Sequence, residues 1–166
     1  MARTITRLCD LVTAIGKSFI ALCMLAIVLI TLAAVIWRYA LHSPIAWIEQ
    51  VSNMLFIWMI FVGSAIIYRQ MLHIAVDFAL AWLPEAVRPI YFWLVEALNL
   101  LFIVLLFVYS LKLSIDVLDN TTGALDITPA WYYFSAPVAS AMMILFFVEK
   151  IVDPSKRVPH GHAGDF

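Results

Sequence analysis

Ser18 to Trp37 is a run of twenty residues without one charged side chain. At 1.5 Å of rise per residue, a helix of that length covers the roughly 30 Å hydrocarbon core of a bilayer. The run also exceeds the usual apolar core of a secretory signal, so it is expected to stay in the membrane rather than be removed. Three more such runs follow. Val51 to Tyr68 is charge-free, contains Ser52, Asn53, Gly63 and Ser64, and is extended by Trp47 to Gln50. Ile90 to Leu111 is interrupted only by Glu96, and Ile127 to Val148 carries Pro129 near its start and Pro137 further in. Composition agrees: 65% of residues are hydrophobic and 13% charged, against about 45 to 50% and about 25% in soluble domains.

The expected fold is therefore an all-α membrane protein in a single domain over residues 1–150, followed by a polar tail at 151–166. Its four transmembrane helices lie at about 18–37, 48–68, 90–111 and 128–148. Between spans two and three, residues 73–83 place His73, Asp77 and Ala81 on one helical edge and Ile74, Phe78 and Trp82 on another. Eleven residues reach only about 16 Å, too short to cross. The segment reads as a short interfacial amphipathic helix stopped at Leu83 by Pro84; a loop folded against the bundle is the alternative.

Cytoplasmic segments carry the excess of Lys and Arg. One side of the membrane holds Arg3, Arg7, Lys17, Arg69, Arg88, Lys150, Lys156 and Arg157, and the other only Arg38 and Lys112. Both termini are expected to be cytoplasmic. Trp37, Trp47, Trp82, Trp93 and Trp131 fall near span ends, where indole rings favour the headgroup region.

A net charge of −1 leaves no basic excess for phosphates, so nucleic acid is excluded as a partner. Cys9 and Cys23 suit neither a disulfide framework nor a metal site and read as structural thiols. Motifs for phosphate loops, nucleophile elbows and zinc hydrolases are absent from the sequence. No catalytic residue, cofactor or metal is expected, and the chain does not read as an enzyme. Asp116, Asp119 and Asp126 do not match the spacing of a calcium loop.

Several polar residues remain to be placed. Arg38 leaves span one and Glu49 enters span two, so the turn through Ser43 and Pro44 allows an ion pair at the boundary; a snorkelling Arg beside a solvated Glu is the equal alternative. Trp47, Val51, Met54, Trp58, Phe61 and Ala65 recur at spacings of four and three and form a packing stripe. Asn53 lies off that stripe and is expected to hydrogen-bond a neighbouring helix. Glu96 is the one acid well inside a span, which makes it a functional candidate; pairing with Asn99, Arg69 or Arg88 is the structural alternative. His73 and Asp77, four residues apart, read as a surface pair. Thr128 before Pro129 suits a helix start, and Pro137 is expected to leave the Tyr133 carbonyl unpaired and bend span four.

Arg38-Tyr39 at the end of span one, Trp47 and Glu49 opening span two, Trp58, Phe61 and Gly63 within it, then His73 with Val76-Asp77, and finally Thr128-Pro129 with Trp131 and Pro137, form an ordered pattern. With four spans, that pattern resembles the small membrane subunit of tripartite ATP-independent periplasmic (TRAP) transporters over about residues 10 to 150. Many relatives carry two consecutive acids after the tryptophan, where this chain has Glu49 followed by Gln50. The resemblance implies a scaffold in the bacterial inner membrane, surrounded by lipid. It would pair with a large multi-span subunit that holds the substrate and the coupling sodium, and a periplasmic substrate-binding protein would deliver an organic acid. Two other classes compete: a small proton-coupled transporter built around Glu96, and a haem-binding redox subunit. In the latter, His42 and His73 are separated by span two and cannot share one iron.

Overall fold

The computed structural model describes residues 2–40, 47–71, 87–121 and 126–152. They form α1 (Ala2–Ala40), α2 (Trp47–Met71), α3 (Arg88–Asp116), the single turn α4 (Ala130–Tyr133) and α5 (Ser135–Val152). Four segments are long and apolar enough to cross a membrane: Arg3–Ala40, Trp47–Gln70, Trp93–Asp116, and Ala130–Val152, which joins α4 to α5. The all-helical, four-span architecture expected from the sequence is present. The interfacial helix expected at 73–83 lies outside the described residues.

The helices outrun the charge-free runs. α1 starts at Ala2 rather than near Ser18, and α3 reaches Asp116 rather than Leu111. Freedom from charge marks hydrocarbon depth, whereas a helix continues wherever its polar groups can face water and its inner edge can pack. In α1, Arg3, Arg7, Asp10 and Lys17 are exposed while Cys9, Thr13 and Gly16, spaced by four and three, are buried. Those intervals return to one face of an α-helix.

The fourth span is central. Half of its apolar window (50%) is buried in the bundle, against 6% for the first span and 11% for the third. α1 packs on α2, α2 and α3 pack on α5, and α1 also touches α5. The core cluster of Cys9, Ala65, Ala139 and Phe146 combines small side chains from three helices with one ring. Small residues let membrane helices approach closely, which is where their packing attraction comes from. Gly16 marks such an approach, because a Cβ there would lie 2.8 Å from Ile66 Cδ1 and 3.4 Å from Val62 Cγ1.

Pro137 acts as its chemistry requires. It offers no N–H to the Tyr133 carbonyl, and the helix is interrupted at Phe134, between α4 and α5. The turn continues through Phe134 N–H donating to Ala130 O at 2.9 Å and Val138 N–H donating to Phe134 O at 3.3 Å. Just before it, the Thr128 hydroxyl accepts from Ala130 N–H at 3.3 Å and donates to Val117 O at 2.9 Å, tying the end of α3 to the start of span four.

Candidate functional site

Buried charge gathers at the end of the bundle where α1 and α3 begin and α2 and α5 finish. Arg69 stands at its centre. Its Nε donates to Glu149 Oε2 at 2.8 Å and its Nη2 to Glu149 Oε1 at 2.7 Å, a bidentate fork. Nη2 also donates to Asp10 Oδ1 at 2.7 Å, and Nη1 to Thr13 Oγ1 at 2.8 Å and to Cys9 O at 3.2 Å. A guanidinium has five N–H donors, so every one is engaged. The Thr13 hydroxyl in turn donates to Cys9 O at 2.7 Å, and the Phe146 ring lies 5.4 Å from the guanidinium carbon, within cation–π range.

The environments of the two acids differ. The Glu149 side chain is 2% exposed and that of Asp10 63%. The Glu149 pair is therefore the one whose loss falls on a buried charge, while the Asp10 pair is screened by solvent. Next along the chain, Lys150 faces a different neighbour and donates to Glu96 on α3, both side chains being buried. Consecutive residues of α5 are about 100° apart around the helix axis. Glu149 can thus lock α5 to α2, and through Arg69 to α1, while Lys150 locks it to α3. All four spans are held at one end by this arrangement.

The structure distributes the residues singled out from sequence between this cluster and the surface. Glu96 belongs to the cluster, but its partner is Lys150 rather than Asn99, Arg69 or Arg88. Sequence reasoning missed it because Lys150 adjoins the polar tail and counts there as a topology charge. Arg69 was a candidate only as a partner for Glu96, and Asp10 and Glu149 were not candidates at all. A usable signal existed: opposite charges recur at matched depth near one end of each of the four helices, and buried charges must be paired.

At the other end, Arg38, Tyr39, Trp47 and Glu49 are exposed, and no ion pair joins Arg38 to Glu49. The boundary clamp is therefore not formed within this chain. Asn53 is also exposed and makes no hydrogen bond to another described residue, contrary to the expected link to a neighbouring helix. Trp58 does pack inward: its Nε1–H donates to Trp131 O at 2.9 Å, and its ring meets Phe19 edge-on at 6.2 Å and 71°. The Tyr132 hydroxyl donates to Gln50 O at 3.0 Å and completes the knitting of α4 onto α2. His73, Asp77 and His42 lie outside the described residues.

A four-span helical bundle closed at one end by ion pairs between helices, with broad apolar outer faces, has the make-up of an integral membrane protein. A family model described as the DctQ component of tripartite ATP-independent periplasmic transporters matches residues 27–157. The chain belongs to that family of transporter components and is not an enzyme. Over 125 residues it is 25% identical to the sialic acid TRAP transporter permease protein SiaT of Haemophilus influenzae, covering 75% of this chain and 20% of that one. It is 33% identical over 96 residues to the C4-dicarboxylate TRAP transporter small permease protein DctQ of Vibrio cholerae, covering 58% of this chain and 41% of that one. With the sialic acid small permease protein SiaQ of Vibrio cholerae, identity is 28% over 129 residues, covering 75% of each. The chain thus spans about a fifth and two fifths of the first two relatives' lengths. Neither the proton-coupled nor the haem-binding class finds support among these relatives.

Proposed function

We propose that this chain is the fixed small subunit of a sodium-driven TRAP transporter. In this reading it lies in the bacterial inner membrane with both termini cytoplasmic and supports a large multi-span subunit. The large subunit holds the coupling sodium and imports an organic acid delivered by a periplasmic substrate-binding protein. Sialic acid and C4-dicarboxylates, named for the relatives, are both organic acids, which supports that substrate class.

The observation that carries the scaffold role is how the chain uses its buried charge. Arg69, Glu149, Glu96 and Lys150 are consumed in helix-to-helix ion pairs at one end of the bundle. Carriers instead place polar groups and interrupted helices around a site near the bilayer midplane. Ion pairs that join all four spans give a body that resists internal sliding, as a platform beside a moving partner requires. Glu96 has its charge matched by Lys150, which argues for a joint rather than a proton relay.

Reconstitution tests the proposal. Vesicles containing this chain alone should take up no organic acid under an inward sodium gradient. Vesicles that also contain the large subunit, supplied with the loaded binding protein, should do so. Sodium-driven uptake by the small chain alone would overturn the reading.

A further inference from the structure

The exposed face of α2 differs from the other outer faces of the bundle. Glu49, Asn53, Phe56, Ile60, Ser64 and Ile67 are all exposed, and at 100° per residue they fall within an arc of about 80°. α2 uses its remaining surface on α1, α4 and α5, so this strip points away from the chain. Asn53 lies six positions into α2, about 9 Å along the axis from Trp47. A 24-residue span is about 36 Å long against a hydrocarbon core of roughly 30 Å, which puts the Asn53 amide inside the apolar layer.

Lipid tails cannot satisfy a carboxamide, and an unpaired polar group in hydrocarbon is costly. The Ser64 hydroxyl meets this need within its own helix, donating to Ile60 O at 2.8 Å. Asn53 has no comparable partner among the described residues. The outward face of α1 from Phe19 to Trp37 holds no carboxamide or charge, and the one carboxamide of α3 between Leu94 and Tyr109, Asn99, is half-buried rather than exposed as Asn53 is. Those faces suit lipid, whereas the α2 face is built for protein.

We infer that the α2 strip centred on Asn53 is the surface on which the large permease subunit docks. The occupant is a transmembrane helix that sets a hydrogen-bonding side chain against Asn53 and a basic or N–H donor group against Glu49 at the boundary. This rests on the subunit role proposed above. The length relation to SiaT supports that occupant, since the stretch that matches this chain is 20% of a much longer permease protein.

Photocrosslinking in the intact complex tests the inference. A benzophenone amino acid at Phe56 or Ile60 should give an adduct with the mass of the small plus the large subunit, and the same probe at Leu29 of α1 or Leu105 of α3 should give none. Asn53→Leu should lower the co-purified large subunit about three-fold, the worth of one membrane hydrogen bond, and Asn53→Gln should restore most of it. If the large subunit co-purifies but crosslinks from Leu29 or Leu105 and not from α2, the docking face is wrong while the subunit role stands. An adduct at twice the mass of this chain from Phe56 or Ile60 would assign the strip to a second copy and overturn the inference. Absence of any co-purifying large subunit, with no adduct from any position, would overturn the subunit role and the docking face together.

Discussion

Replacing Arg69 by Ala should be the most damaging single truncation in this protein, and the structure says why. The substitution removes five hydrogen bonds at once, but their worth is unequal. Asp10 is 63% exposed and can return to water, so its share is about 0 to 1 kcal/mol. Glu149, at 2% exposure, loses the bidentate guanidinium that neutralises it, and breaking a buried pair from one side costs about 3 to 5 kcal/mol. For a chain of this size about 2 to 4 °C of melting temperature corresponds to each kcal/mol, so Arg69→Ala should melt about 6 to 20 °C lower. The assay is built into the molecule. Cys9 and Cys23 are buried and outside any disulfide, and a thiol-reactive fluorophore in detergent will report unfolding as they become accessible. Arg69→Lys keeps the charge but offers three donors in place of five, and should fall between wild type and Ala. The double variant Arg69→Met with Glu149→Leu removes the buried carboxylate together with its partner, and should be more stable than Arg69→Ala alone. A melting temperature for Arg69→Ala within about 2 °C of wild type, or a double variant whose loss equals the sum of the two singles, would refute the view that this pair is a buried joint.

Glu96→Leu should lower the melting temperature by removing the buried carboxylate that Lys150 donates to, while Glu96→Leu combined with Lys150→Met should recover part of the loss; the same thiol assay decides. Gly16→Leu should splay α1 from α2 and release the Cys9 thiol to labelling at room temperature, whereas Gly16→Ala should be mild because the atom it meets is the mobile end of Ile66. Arg38→Ala and Glu49→Ala should leave the isolated chain's melting temperature unchanged and weaken co-purification of the large subunit by additive amounts, since no ion pair couples them; a strongly non-additive pair would contradict the structure. An impermeant maleimide should label a cysteine placed at Thr122 from outside the cell and not one placed at Gly161, with the reverse pattern overturning the topology.

Hydrocarbon imposes its rule one residue at a time, so the sequence by itself determined that this chain is helical, spans the membrane four times and belongs to a TRAP small-subunit pattern. Twenty residues without charge at Ser18–Trp37 admit no other satisfied backbone in lipid, and the missing N–H of Pro137 announced the break at Phe134. The extent of α1 was not legible in that way, because its first turns carry charges on the outside and small residues inside, and only packing against α2 shows which of them matter. Pair identities were further out of reach. Whether Glu96 meets Arg69 or Lys150 depends on the rotation of α5 about its axis and on which helices adjoin it, and Arg38 and Glu49, neighbours across a short connection, end up exposed and apart. The tertiary structure decided those matters because an ion pair is set by the relative placement of two helices, a quantity that no single helix encodes.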